Sequence, residues 1–149
     1  GLACIMIQTG SAKRLLQVEI CSMDKAPVRL EASLVKLEGG LGPFTVLPGH
    51  APMLASLDIG VMTLHSADGE RFFYAVNGGV VKVCNDQVLI LPQSFEESGE
   101  IDMERAQQAK TKAETILKER HSSELERMEV VLKRAIARIR ARSYSEGKV

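Results

Sequence analysis

Leu16, Val18 and Ile20 alternate with polar residues, and Val28, Leu30, Ala32 and Leu34 alternate with Arg29, Glu31 and Ser33. A period of two puts every apolar side chain on one face of an extended chain, so both runs predict strands with one buried face. The alternation slips at Leu34-Val35, which reads as a bulge or as a strand buried on both faces. Apolar runs at 44–47, 61–65, 71–76, 80–84 and 88–91 continue the series. Asp68-Gly69, Asn77-Gly78 and Asn85-Asp86 lie in the gaps, and such pairs supply the positive φ that tight hairpins need. Seven or more short, hairpin-linked strands predict an antiparallel sandwich or barrel.

Beyond Gly99 the period changes. Ala106, Ala109, Ala113, Ile116 and Leu117 fall three and four residues apart, one stripe of an amphipathic helix. Asp102 and Glu104 open it, and Lys118 and Arg120 stand near its end, as the helix dipole favours. His121-Ser122-Ser123 breaks the stripe, and Ser123 with Glu126 makes a Ser-x-x-Glu capping box for a second helix. Leu125, Met128, Leu132, Ala135 and Ile139 form its near-heptad stripe, with Val131 and Ile136 beside it. Each helix is expected to run about 18 residues, or about 27 Å. All five prolines and eleven of the twelve glycines precede residue 100, and residues 100–146 contain neither. An alanine-rich stripe allows close helix approach but buries little area, so the closed hairpin is expected to be marginal by itself.

Composition narrows the function classes. Residues 1–100 carry 7 basic and 11 acidic side chains, and residues 101–149 carry 12 and 8. This is no nucleic-acid footprint; the basic tail suits an acidic protein surface or a nucleotide. Cys4, Cys21 and Cys84 are odd in number and irregular in spacing, which fits a reducing compartment and no disulfide framework. No Cys-x-x-Cys or His-Glu-x-x-His spacing points to a metal. No run approaches the roughly 20 apolar residues of a membrane span. Residues 2–7 are apolar but too short, and lack the preceding basic residue of a signal peptide. Residues 1–14 are read as an N-terminal extension, disordered or foreign to the natural chain, with Met6 a candidate natural start.

Turn residues are densest over Gly39-Gly40-Leu41-Gly42-Pro43-Phe44-Thr45-Val46-Leu47-Pro48-Gly49-His50-Ala51-Pro52. This stretch lacks the Lys-Ser/Thr ending of a P-loop and reads as a strand connection. His50 has no Ser or Cys nucleophile motif beside it and reads as a turn histidine bonded to backbone. Gly42 to Pro52, with Asp58-Ile59-Gly60-Val61 and Val76-Asn77-Gly78-Gly79-Val80, resembles the epsilon subunit of bacterial F-type ATP synthases. That family shares the loop ending in Leu-Pro-Gly-His-Ala-Pro, a glycine before the next strand and a Gly-Gly hairpin. The resemblance spans about residues 15–142. Glu38 departs from it, since the family usually has a proline there, and is expected to alter a local turn.

Arg134 and Arg138 lie four apart on one face of the second helix, with Lys133, Arg140 and Arg142 near them and no acid between Val130 and Tyr144. Taken alone this is a solvated basic face, Asp102 a helix cap and Arg105 a surface residue. Together with Ile101-Asp102-x-x-Arg105-Ala106 they match the pattern of ATP-binding bacterial members of the family. The resemblance therefore implies a regulatory ATP site of Glu96, Ile101, Asp102, Arg105, Ala106, Arg134 and Arg138, with Glu96 the acid of the preceding loop. Guanidinium forks suit phosphate oxygens, Asp102 can accept from an adenine amino group or a ribose, and Ala106 leaves room for a planar ring. There is no P-loop, metal-binding carboxylate pair or positioned base, so ATP is expected to be a regulatory ligand and not a substrate. No cofactor is required and no enzymatic activity is expected.

The expected fold is β + α: an antiparallel β-sandwich or barrel over 15–97, then an antiparallel two-helix hairpin with a short basic tail over 98–149. The resemblance implies a rotor subunit of the central stalk that joins the gamma subunit to the c-ring. Its hairpin would reach the alpha/beta catalytic subunits and restrain hydrolysis when extended. It would sit at the cytoplasmic face of the bacterial membrane through the complex, bind no nucleic acid and be a monomer when isolated. The alternative is a β-sandwich adaptor that dimerises through a C-terminal coiled coil, which the near-heptad stripe allows.

Overall fold

The computed structural model describes residues 14–118 and 125–147. Seven strands come first: β1 (Leu16–Ser22), β2 (Lys25–Gly39), β3 (Gly42–Val46), β4 (Met53–Ser66), β5 (Arg71–Cys84), β6 (Gln87–Pro92) and β7 (Phe95–Glu97). A 3-10 turn (Ser98–Glu100) leads into two helices, α1 (Met103–Lys118) and α2 (Leu125–Ser145). This is the β-sandwich or barrel with two following helices that the periodicity predicts. The Ser123 capping box and most of the N-terminal extension lie outside the described residues.

β2 and β5 organise the body because each is long enough to serve several partners. β2 pairs with β1 up to Ala32 and with β3 from Val35 onward. Its register against β4 shifts between Ala32 and Leu34, which is the bulge reading of the slipped alternation. The bulge moves the inward face from Val28, Leu30 and Ala32 to Val35 and Leu37. β5 pairs with β4 along its length, with β7 through Tyr74, Ala75 and Val76, and with β6 from Gly79. β1 lies parallel to β6, the one parallel pair among the described residues, and closes the ring β1-β6-β5-β4-β2. Leu16, Ile20, Leu37, Met62, Leu64 and Ile90 fill the centre with no exposure above 2%.

Two of the three expected hairpin turns form, at Asp68-Gly69 and at Asn85-Asp86, where φ is 51° and 61° at the latter pair. Asn77-Gly78 corrects the third. It bends one continuous strand, because Gly78 (φ 69°) and Gly79 (φ 117°) swing β5 from β7 to β6. Buried Asn77 fixes the bend: its main-chain N–H donates to the Ser94 carbonyl at 2.9 Å and its side-chain amide to Ser94 Oγ at 2.6 Å. His50 donates from Nδ1 to the Ala51 carbonyl at 2.7 Å, the backbone-bonded turn histidine expected. Arg14, assigned to the extension, is tied by an ion pair to Asp86. Asp86 also accepts the Gly49 N–H at 2.7 Å.

The helices stack in order on the outer face of β4 and β5. Ala137, Ala141 and Tyr144 of α2 pack with Ile101 against Ile59, Val61, Phe73 and Ala75. The Tyr144 ring meets Phe73 edge-on at 6.0 Å. Ala135 is turned about 200° around the helix from Ala137, away from the sheet. It is fully buried nonetheless, and α1 is the neighbour on that side. Ala106 and Ala113 of the predicted first stripe are buried in turn. The start of α1 lies beside the C-terminal half of α2, so the pair runs antiparallel. Ala135 of the near-heptad stripe is thus used inside the chain, with Met128, Leu132 and Ile139 half-buried, and α2 carries a second, sheet-facing stripe at 137, 141 and 144.

A Cβ on Gly79 would fall 2.2 Å from the Leu91 carbonyl oxygen and 2.6 Å from Pro92 Cα, at a φ that favours glycine. Gly79→Ala is therefore expected to destabilise the sandwich by more than about 2 kcal/mol in urea unfolding. Burial pushes the Tyr74 phenol up to about 12, with Glu97 and Glu100 adding to the shift. The fold thus prefers the neutral phenol, and this contribution is whole below pH 10 and lost as pH climbs towards 12. Urea midpoints of Tyr74→Phe and the parent should change in parallel up to about pH 10, with the parent falling faster above it.

Candidate functional site

Asp102 stands between the 3-10 turn and α1, where its backbone is not yet helical. Its Oδ1 accepts the Arg105 N–H at 3.1 Å, the bond of an N-cap. This holds Arg105 and Ala106 in the first turn of α1. β7 brings Glu96 to the same place from the sandwich, and Arg138 arrives from α2. These five residues, with Glu100, line one cavity of about 350 Å³. That volume falls within the roughly 300–1,000 Å³ of small-ligand pockets.

Arg138 Nε donates to Glu96 Oε1 at 2.9 Å, with both side chains about a third exposed. An anion entering the cavity would compete with Glu96 for this guanidinium. The lining also holds Asp102 and Glu100 beside Arg105, so it offers carboxylate acceptors for amino or hydroxyl groups and guanidinium donors for oxyanions. It suits a ligand that carries both kinds of group. No residue there is an activated nucleophile or a positioned base, so the arrangement is one for binding.

Two of the expected residues lie off the cavity wall. Ile101 is 5% exposed and packs in the apolar cluster between α2 and the sheet. Arg134 is one turn from Arg138 on α2, and its Nε is buried with no hydrogen-bond partner among the described residues. Glu100 is the wall residue that sequence reasoning missed; its closeness to Asp102 was the only signal.

Further arginines join α2 to the body. Arg142 Nη1 donates to the Ser98 carbonyl at 3.3 Å, fastening α2 to the 3-10 turn. Arg140 Nη1 donates to Glu38 Oε1 at 3.1 Å, and Arg140 also reaches the Tyr144 hydroxyl at 3.3 Å. Burial works against the Arg140 charge, and the Tyr144 and Glu38 contacts outweigh it and leave its pKa raised. Glu38 was expected to alter a turn. Instead it lies within β2 opposite Pro43, and its side chain works at long range.

Two family descriptions cover this architecture in sequence. The ATP synthase delta/epsilon chain β-sandwich domain matches residues 15–98, and the delta/epsilon chain long α-helix domain matches 100–142. Proteins named ATP synthase epsilon chain are similar along nearly their whole length. The one from Exiguobacterium sp. is 37% identical over 88% of this chain and 98% of its own. The one from Moorella thermoacetica is 39% identical over 85% and 95%. Among solved structures, a chain of the Euglena gracilis mitochondrial ATP synthase OSCP/F1/c-ring assembly shares the fold, with a TM-score of 0.74 at 19% identity, over 84% of this chain and 79% of that one. The sandwich, the two helices and these relatives together place the chain in the ATP synthase epsilon family.

Proposed function

We propose that this chain is a non-catalytic rotor subunit of a bacterial F-type ATP synthase, joining the gamma subunit to the c-ring in the central stalk. Family membership supports this reading, and so does the surface. Val80 of β5 and Leu91 of β6 are exposed cross-strand partners, Leu54 is exposed on β4 two residues from Ser56, which pairs with Val80, and Leu41 is fully exposed at the β2–β3 turn. Exposed apolar groups in a cluster mark a surface that partners cover. No helix among the described residues is long and apolar enough to cross a membrane. In this reading the chain meets the membrane through the complex, on its cytoplasmic face. The isolated chain is a monomer: Ala135 is taken up beside α1 and Ala137 and Ala141 against the sheet, so these positions are not free for a coiled coil.

The hairpin is the regulatory part, and ATP is its ligand. The observation that carries this is the meeting of Glu96, Asp102, Arg105, Ala106 and Arg138 around one cavity at the joint of the sandwich, α1 and α2. A ligand there touches all three parts and so stabilises only the closed arrangement. The phosphates take Arg138 and Arg105, with Arg134 turning in from its neighbouring position on α2. The carboxylates take the adenine amino group or the ribose. A ligand at 100 times its dissociation constant stabilises the competent state by about 2.7 kcal/mol, enough to reverse a marginal equilibrium about a hundredfold. When the hairpin extends, the basic α2 reaches the alpha/beta subunits and restrains hydrolysis.

Titrating ATP into the isolated chain by calorimetry should give one saturable site. Arg134→Ala/Arg138→Ala should weaken it at least about tenfold, from the loss of charge-assisted hydrogen bonds. Equal or absent heats in both proteins would remove ATP from the reading. In the whole complex, deleting residues 101–149 should raise ATP hydrolysis most at low ATP. An unchanged rate at every ATP level would mean that the hairpin is no brake.

A further inference from the structure

The Glu38 carboxylate does three things at once. One oxygen accepts the Val61 N–H, in the stretch of β4 where register against β2 shifts between Lys36 and Gly39. The same carboxylate lies over Gly60, where a Cβ would fall 2.0 Å from Oε2. Its other oxygen, Oε1, receives Arg140 from α2 at 3.1 Å. Glycine at 60 makes room for the carboxylate, and the Val61 N–H fixes its direction before Arg140 arrives. The acceptor is therefore preorganised by the sandwich alone. Arg140 is preorganised from the helix side: its guanidinium lies 5.7 Å from the centre of the Tyr144 ring, whose edge rests on Phe73.

The placement across the sheet gives this pair its meaning. α2 packs over β4 and β5 through Ala137 and Ala141. Arg138 and Arg140 leave the helix about 200° apart, so they reach down opposite flanks. Arg138 reaches β7, which borders β5, and Arg140 reaches β2, which borders β4. The Arg138 flank opens into the cavity and its partner Glu96 is exposed to competition by a bound anion. Neither Glu38 nor Arg140 lines that cavity, so a ligand bound there does not compete for this pair.

We propose that Glu38 and Arg140 form a nucleotide-independent latch, which holds α2 on the sandwich when the cavity is empty and stays fastened when a ligand takes Arg138 from Glu96. This rests on the reading that the hairpin leaves the sheet. The latch sets how far the unliganded chain is already closed, and the ligand flank works on top of it.

Backbone hydrogen exchange of the full chain tests the latch, comparing amides of the C-terminal half of α2 with those of β4 and β5 in the parent, Glu38→Gln, Arg140→Gln and the double variant. Glutamine at 38 keeps an acceptor for the Val61 N–H and loses only the charge. In the parent, α2 amides should exchange faster than those of β4 and β5, because the hairpin opens without the sandwich unfolding. Glu38→Gln should speed α2 exchange about three- to tenfold, as fits a preorganised pair that is still partly exposed, and leave β4 and β5 unchanged. Arg140→Gln should do more, since it also loses Tyr144, and adding Glu38→Gln to it should change nothing further. If α2 opens in the parent but Glu38→Gln leaves its rate alone, or multiplies the rate equally in both backgrounds, the latch is wrong and the mobile hairpin stands. A Glu38→Gln effect of the same size on β4 and β5 would make Glu38 a general stability residue and also overturn the latch. If α2 exchanges only together with β4 and β5 in every protein, the mobile hairpin itself falls, and the latch with it.

Discussion

Close approach through alanine is the constraint on which the helical half depends. Ala135 faces α1, and Ala137 and Ala141 face the sheet; all three are buried. A methyl group lets a helix lie near its neighbour but contributes only about 0.8 kcal/mol of burial. The apolar contact thus brings α2 near while burying little area per residue. Tyr144 on Phe73 adds about 0.5–1.5 kcal/mol. What remains falls to arginines at 138, 140 and 142, each reaching a different part of the body. Larger side chains at the alanine positions would bury more if they fitted, and would make docking permanent.

The body follows the opposite rule. Its centre is filled by large aliphatic side chains with no exposure, and its ring is closed by the β1–β6 pair. β2 and β5 each belong to several neighbours, so neither can leave without opening the ring. Such a frame gives fixed anchor points, and Glu96, Ser98 and Glu38 stand on or next to it. A sandwich that presents acceptors and a helix that presents donors are the two parts that the proposed switch requires.

Much of this was legible in the chain itself. The slipped alternation at Leu34-Val35 marked the bulge in β2, since period two cannot continue through an extra residue. The alanine stripe from 106 to 117 marked the inner face of α1, and Asp102 marked its cap. Glu96, Asp102, Arg105, Ala106 and Arg138 were grouped by resemblance, and they surround one cavity. Asn77-Gly78 misled, because positive φ is needed equally by a hairpin turn and by a bend within a strand, and local sequence does not separate them. The stripe at 137, 141 and 144 was hidden for a similar reason. Alanine and tyrosine are weak hydrophobic markers, and arginines stand between them.

Local sequence marked most of the strands, both helices, the change of period near Gly99 and the apolar face of α1. These depend on interactions within a few residues, which periodicity and turn chemistry report directly. Packing of the elements settled that α2 is the inner helix, that Glu38 serves Arg140 across 102 positions of chain, and that Ile101 turns into the core and away from the cavity. Those outcomes depend on which faces meet when sheet and helices stack. A carboxylate in a strand carries no local mark of the guanidinium that will find it.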